Sequence, residues 1–138
     1  MNYLLDTCVL SEYKKPEPAA EVLAWLDAQA DESLYISVLT IGELDKGIFK
    51  MLPSKRKTNL AVFVEALISR FDRRILDLDT AVLRSWGAMI GSLESKGCPM
   101  PVIDSLMAAT ALEHDLTIVT RNEADFSATG VTVKNPWT

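Results

Sequence analysis

Four acidic residues, Asp6, Glu43, Asp104 and Asp125, are widely separated in the chain, yet each stands in or beside a segment with strand or helix character. Asp6 directly follows the apolar run Tyr3–Leu5, and Glu43 lies within a helical stretch begun near Ser37. Asp104 falls in the first turn of a helix after Pro101, and Asp125 falls in a polar turn after Leu116–Thr120. In an open parallel sheet, ligands bind beyond the carboxyl ends of the strands, so acids there matter more than acids elsewhere. Carboxylates gathered without histidine suit hard, oxygen-seeking cations, which points to Mg²⁺ or Mn²⁺ rather than zinc. Two such ions about 4 Å apart activate water and neutralise charge on the leaving oxygen of a phosphodiester.

Other chemistries are poorly served. His114 is the single histidine and sits at a helix end, where the dipole accounts for it, so Ser-His-Asp and Cys-His machinery are both excluded. Cys8 and Cys98 form neither a disulfide framework nor a zinc pattern, and no glycine-rich phosphate loop occurs. Each acid also has an ordinary local explanation. Asp6 can also be a helix cap, Glu43 half of a surface Glu-Lys pair with Lys46 or Lys50, and Asp104 an acid satisfying a helix dipole. The segment from Thr120 through Asn122 to Asp125 reads equally as an Asx turn with a cap.

The elements that must position these residues follow from periodicity. Short apolar runs at Tyr3–Leu5, Leu34–Ser37, Ile75–Leu78, Leu116–Thr120 and Val131–Val133 have strand character and alternate with helical stretches. Helices are expected over Ala19–Ala30, from a Ser37 cap to about Met51, from beyond Pro53 and Ser54 towards Phe71, from an Asp79 cap to Gly97, and over Val102–Glu113. This alternation predicts an α/β fold with a mainly parallel sheet. At 138 residues, without repeats or linkers, the chain reads as one domain over residues 1–138. The stripe Val82, Trp86, Ile90, Leu93 is either core or a dimer surface.

Half the residues are hydrophobic, but no apolar run approaches the ~20 residues of a membrane span, so a soluble, cytoplasmic protein is expected. The net charge of −5 argues at first against a polyanionic partner. That average conceals a division: between Lys46 and Arg74 eight basic residues face two acidic ones, giving this stretch +6. Lys46, Lys50, Lys55, Arg56 and Lys57 are therefore candidates for gripping an RNA backbone, with a solvated helix face as the alternative.

Tyr3-Leu4-Leu5-Asp6-Thr7 with Val9-Leu10-Ser11-Glu12, Thr40-Ile41-Gly42-Glu43-Leu44, Pro101-Val102-Ile103-Asp104 with Ala108-Ala109-Thr110-Ala111, and Thr120-Arg121-Asn122 with Asp125-Phe126 occur in this order. Together they make the chain resemble PIN-domain toxins of the VapC family, particularly the FitB-like branch, over essentially its whole length. The resemblance implies an α/β/α sandwich and an acidic cluster of Asp6, Glu43, Asp104 and Asp125, supported by Thr7, Thr120 and Asn122. It further implies a Mg²⁺- or Mn²⁺-dependent endoribonuclease, homodimeric, neutralised by a cognate antitoxin whose tail occupies or distorts the active site. DNA binding in such systems belongs to the antitoxin, so a complex on operator DNA is expected through it. Cys8 departs from the family, which commonly has Asn there.

On this reading Asp6, Asp104 and Asp125 bind one or two ions and Glu43 binds directly or through water, leaving 5′-phosphate and 3′-hydroxyl products. A housekeeping PIN nuclease is the alternative within the enzyme class. A Mg²⁺-binding signalling domain of receiver type fits less well, because it needs a lysine after a late strand and Thr120 is followed by Arg121.

Overall fold

The apolar run at the start of the chain forms β1 (Tyr3–Leu5), and its leucines show the alternation that organises the molecule. Leu4 and Leu5, 0% and 1% exposed, point into separate hydrophobic clusters on opposite faces of the sheet. In this computed structural model, which describes residues 1–138, there follow α1 (Thr7–Ser11), α2 (Ala20–Asp27), β2 (Leu34–Ser37), α3 (Val38–Phe49) and α4 (Lys55–Arg70). The chain continues through β3 (Ile75–Leu76), α5 (Thr80–Ser95), α6 (Val102–Glu113), β4 (Thr117–Val119) and β5 (Val133–Lys134). Short 3-10 segments cover Glu12–Lys14, Asp31–Ser33 and Glu123–Thr129.

The strands make one five-stranded sheet in the order β3-β2-β1-β4-β5, with every pairing parallel. Leu4 stands opposite Tyr35 on one side and Ile118 on the other, so β1 is central. One face is covered by α1 to α4 through Val9, Leu10, Val22, Leu44, Ile48, Val64 and Leu67. The other is covered by α6 and the last 3-10 segment through Met107, Ala108, Ala111 and Phe126. The expected α/β/α sandwich is thus present.

Local chemistry explains most element boundaries. Ser37 caps α3 by accepting from the Leu39 N–H, Ser54 caps α4 through the Lys57 N–H, and Asp79 caps α5 through the Val82 N–H. Gly97, at φ 71°, ends α5 in the left-handed conformation that lets the Cys98 N–H return to the Leu93 carbonyl at 2.9 Å. The expected stripe on α5 divides between the interior and α6: Val82 and Leu93 are buried, while Trp86 donates its indole N–H to Ser105 Oγ at 2.9 Å.

Several expectations shift. β3 stops at Leu76 rather than Leu78, and β5 lies at Val133–Lys134 rather than Val131–Val133, because both are edge strands paired on one side only. α2 ends at Asp27 rather than Ala30. α1 is foreshadowed only by the helix-cap reading of Asp6, since five residues are too few for a 3.6-residue period to register. No helix is long and apolar enough to cross a membrane.

Candidate active site

A parallel sheet presents all its carboxyl ends along one edge, and each helix that follows a strand starts there. Asp6 stands at this edge immediately after β1, Ser37 ends β2 there, and Thr120 follows β4 there. α3 begins directly after β2, which brings Thr40 and Glu43 from its first turns above the edge. α6 runs back towards the start of β4, so its first turn, carrying Asp104, lies at the same edge.

Asp6 is half-buried, and each of its oxygens accepts a short hydrogen bond. Its Oδ1 accepts the Thr7 N–H at 2.8 Å as the cap of α1, and its Oδ2 accepts the Thr120 hydroxyl at 2.7 Å. The helix-cap reading and the site reading of Asp6 are therefore both true of one side chain. Thr120 is 0% exposed and also accepts the Asn122 N–H at 3.1 Å, which holds the following turn against the strand end. Asn122 thus acts here through its backbone N–H.

Thr7 links the first acid to the second. Its hydroxyl donates to Glu43 Oε1 at 2.7 Å and lies 3.5 Å from the hydroxyl of buried Thr40, one helical turn before Glu43. Neither Lys46 nor Lys50 pairs with Glu43, so the surface ion pair that the sequence also allowed is not formed. Thr40 was missed as a supporting residue; its only sequence signal is a polar residue three positions before Glu43, on the same helical face.

Asp104 is the electrostatic meeting point. Burial pushes its carboxyl above the usual aspartate range, and the charges of Asp125, Asp6 and Glu43 push it further the same way. Asp125 itself is exposed, in the 3-10 segment after β4, with its N–H bonded to the Asn122 carbonyl at 3.1 Å. All four predicted acids thus belong to one field. They do not close into a cage, however: no three carboxylates, thiols or imidazoles stand at metal-ligating spacing. Like charges repel, and Asp6 and Glu43 are each turned towards a threonine hydroxyl. The donor set still fits a hard divalent cation, since it is all oxygen and its mutual repulsion is what such a cation relieves.

Cys8 lies within this network, its Sγ 3.8 Å from Asp6 Oδ2 and 3.6 Å from Thr120 Oγ1. Burial raises the pKa of its thiol, which keeps the sulfur protonated beside Asp6.

The basic candidates divide around Glu43. Lys46 and Lys50 line a groove with Glu43, Gly42 and Ile103, whereas Arg56 lines a depression with Glu43, Thr7 and Lys14. Lys57 differs from both groups, because its ammonium donates to the Met51 carbonyl at 3.0 Å and fastens the α3–α4 turn. Arg70 and Arg74 are likewise committed to structure, binding Asp31 and the Asp31, Leu34 and Arg70 carbonyls.

The PIN domain family profile matches residues 3–131. The chain belongs to the PIN-domain family. Within that PIN family it is 36% identical over 135 residues to the VapC ribonuclease Y4jK of Sinorhizobium fredii, covering 97% of this chain and 96% of the relative. It is 37% identical over 135 residues to Toxin FitB of Neisseria gonorrhoeae, covering 97% of each. Its PIN fold superimposes on the structure of FitAB bound to an IR36 DNA fragment with a TM-score of 0.92, at 35% identity, over 99% of this chain and 96% of the other.

Proposed function

We propose that this chain, a single nuclease domain over residues 1–138, is a divalent-metal-dependent endoribonuclease acting in the cytoplasm as the toxin of a toxin–antitoxin pair. The observation that carries the reading is the convergence of Asp6, Glu43, Asp104 and Asp125 from four separate segments on one sheet edge, where the charges of the other three all act on Asp104. The kinship with Y4jK and FitB supports RNA as the substrate, and the FitAB complex on DNA supports an antitoxin partner through which operator DNA is held. A homodimer is part of this proposal.

Asp6, Asp104 and Asp125 would hold Mg²⁺ or Mn²⁺, with Glu43 as a further direct or water-linked ligand. A divalent cation there supplies positive charge for the scissile phosphate and an acidified water. The protein's own part is to present the oxygens. Thr120 and the Thr7 N–H fix both oxygens of Asp6, and the Thr7 hydroxyl aims Glu43 towards the same side. Asp104 holds its proton to higher pH than an ordinary aspartate, and a neighbouring positive charge would counter that shift.

The test is cleavage of a mixed small-RNA pool by purified, antitoxin-free protein in Mg²⁺, Mn²⁺ or EDTA, beside Asp6→Asn and Asp104→Asn variants with verified folds. Metal-dependent cutting that leaves 5′-phosphates and disappears in both variants is expected. Products with 2′,3′-cyclic phosphates, or cutting that persists in EDTA, would reject the reading.

A further inference from the structure

Beside the acidic edge lies a second, outer groove of 580 Å³, walled by Tyr13, Lys14, Lys55, Arg56, Leu60 and Phe63. Lys14, Arg56 and Leu60 line both this groove and the depression that holds Thr7 and Glu43, so the two spaces adjoin across these side chains. The geometry points to this groove as a track for single-stranded RNA leading out of the catalytic edge, with Lys14, Arg56 and Lys55 taking backbone phosphates. This inference rests on the nuclease reading above and specifies where the substrate strand runs.

Three observations carry it. First, Lys14 and Arg56 face one another without an ion-pair partner in a protein whose net charge is −5, while nearby Lys15 is neutralised by Glu12. Burial and the charge of Arg56 lower the Lys14 pKa, a repulsion that a bound phosphate would remove. Second, α4 opens with Lys55, Arg56 and Lys57 and has no acid in its first turn. Cations at a helix N-terminus oppose the dipole, and while Lys57 is spent on the Met51 carbonyl, Lys55 and Arg56 have no such structural partner and are placed where an anion would relieve them. Third, the floor between these cations is apolar and partly aromatic, formed by Tyr13, Leu60 and Phe63, with the Lys14 ammonium 6.0 Å from the Phe63 ring centroid. Cations along a rim and apolar faces beneath match a single strand, whose bases are free to turn inward, and not a paired duplex. Lys14 lies outside the basic stretch visible in the sequence, and only folding brings it to Arg56.

The experiment measures binding of a fluorescein-labelled single-stranded oligoadenosine by anisotropy across a salt series, using the full chain in the Asp104→Asn background so that the RNA stays intact. A Lys14→Gln/Arg56→Gln double variant is expected to bind more weakly. Its log affinity should fall less steeply with log salt, by about 1.4 in slope, because each neutralised phosphate on a single strand contributes about 0.7. The charge-conserving Lys14→Arg/Arg56→Lys variant should keep the original slope, which separates loss of charge from loss of fold. An unchanged slope in the Gln variant, with RNA still bound and still cut by the otherwise unmodified enzyme, would overturn the track and leave the nuclease intact. An unchanged slope together with charge-dependent binding of an oligoglutamate peptide would assign the groove to an acidic protein segment instead. Protein that neither binds nor cuts RNA would remove the nuclease reading and the track together.

Discussion

Thr120 and Asp6, 114 positions apart in the chain, share a 2.7 Å hydrogen bond that joins the ends of the two central neighbouring strands. The Thr120 hydroxyl is 0% exposed and serves as donor to Asp6 and acceptor for the Asn122 N–H, so it orients both an acid and the turn that carries Asp125. Thr120→Val keeps the shape and removes both bonds. We expect a stability loss of about 1–2 kcal/mol, since a buried donor and acceptor lose their partner. Cleavage should fall by about 10- to 100-fold, as when a group orienting a metal ligand is lost. Urea unfolding and initial cleavage rates measure the two effects; full activity in a folded Val variant would show that Asp6 needs no such support.

Asp104 is expected to exchange stability for function. Its carboxyl is shifted upward, so the charged form is disfavoured in the fold and folding takes up protons. The destabilising cost is fully present above the raised pKa and is relieved as pH falls towards the ordinary value near 3.8. In EDTA, Asp104→Asn should therefore melt higher than the parent near neutral pH, and the gap should close in acid. Added Mg²⁺ or Mn²⁺ should raise the melting temperature of the parent more than that of the variant. A variant that melts lower in EDTA would contradict the repulsion.

Glu12 behaves in the opposite sense. It is 2% exposed, accepts the Ala19 N–H at 2.9 Å and pairs with Lys15 at 2.5 Å, tying the segment after α1 to the start of α2. The Lys15 bond, then the Ala19 N–H, holds its carboxyl below the usual range. Stability from this group is present above about 4.5, the unfolded value, and is lost as pH falls through the lower folded value. Glu12→Ala should destabilise the fold at neutral pH, chiefly by leaving the Ala19 N–H without its acceptor, with the difference from the parent shrinking in acid. Denaturant midpoints across that range provide the check, and a pH-independent difference would rule the carboxylate out as its source.

The two thiols should react in a fixed order. Cys98 is exposed, whereas Cys8 is half-buried with its pKa raised by burial, so iodoacetamide should modify Cys98 first. Mass-spectrometric time courses reveal the order. Cys8→Asn replaces weak contacts at 3.6 and 3.8 Å with a stronger donor and acceptor beside Thr120 and Asp6, and cleavage should rise or hold. A folded Cys8→Asn protein with much reduced cleavage would show that the thiol is adapted to this site.

Sequence alone determined the alternation of strands and helices, because burial of one helix stripe and of both strand faces writes itself into local periodicity. It determined the caps at Ser37 and Asp79, because a helix start needs an acceptor within a few residues, and it marked Asp6, Glu43, Asp104 and Asp125 through the ordered motifs that carry the family resemblance, since local pattern left each acid an ordinary alternative. The tertiary structure decided what periodicity cannot carry. The β1–β4 pairing brings Thr120 to Asp6, the start of α3 brings Glu43 and Thr40 to Thr7, and the packing of α4 brings Arg56 beside Lys14. It also separated the basic stretch into Lys46 and Lys50 on one side of Glu43, Arg56 on the other, and Lys57, Arg70 and Arg74 spent on structure. Charge along a chain is a one-dimensional count, whereas a partner meets charges across gaps of a few ångströms, and those gaps are set by which strands lie side by side.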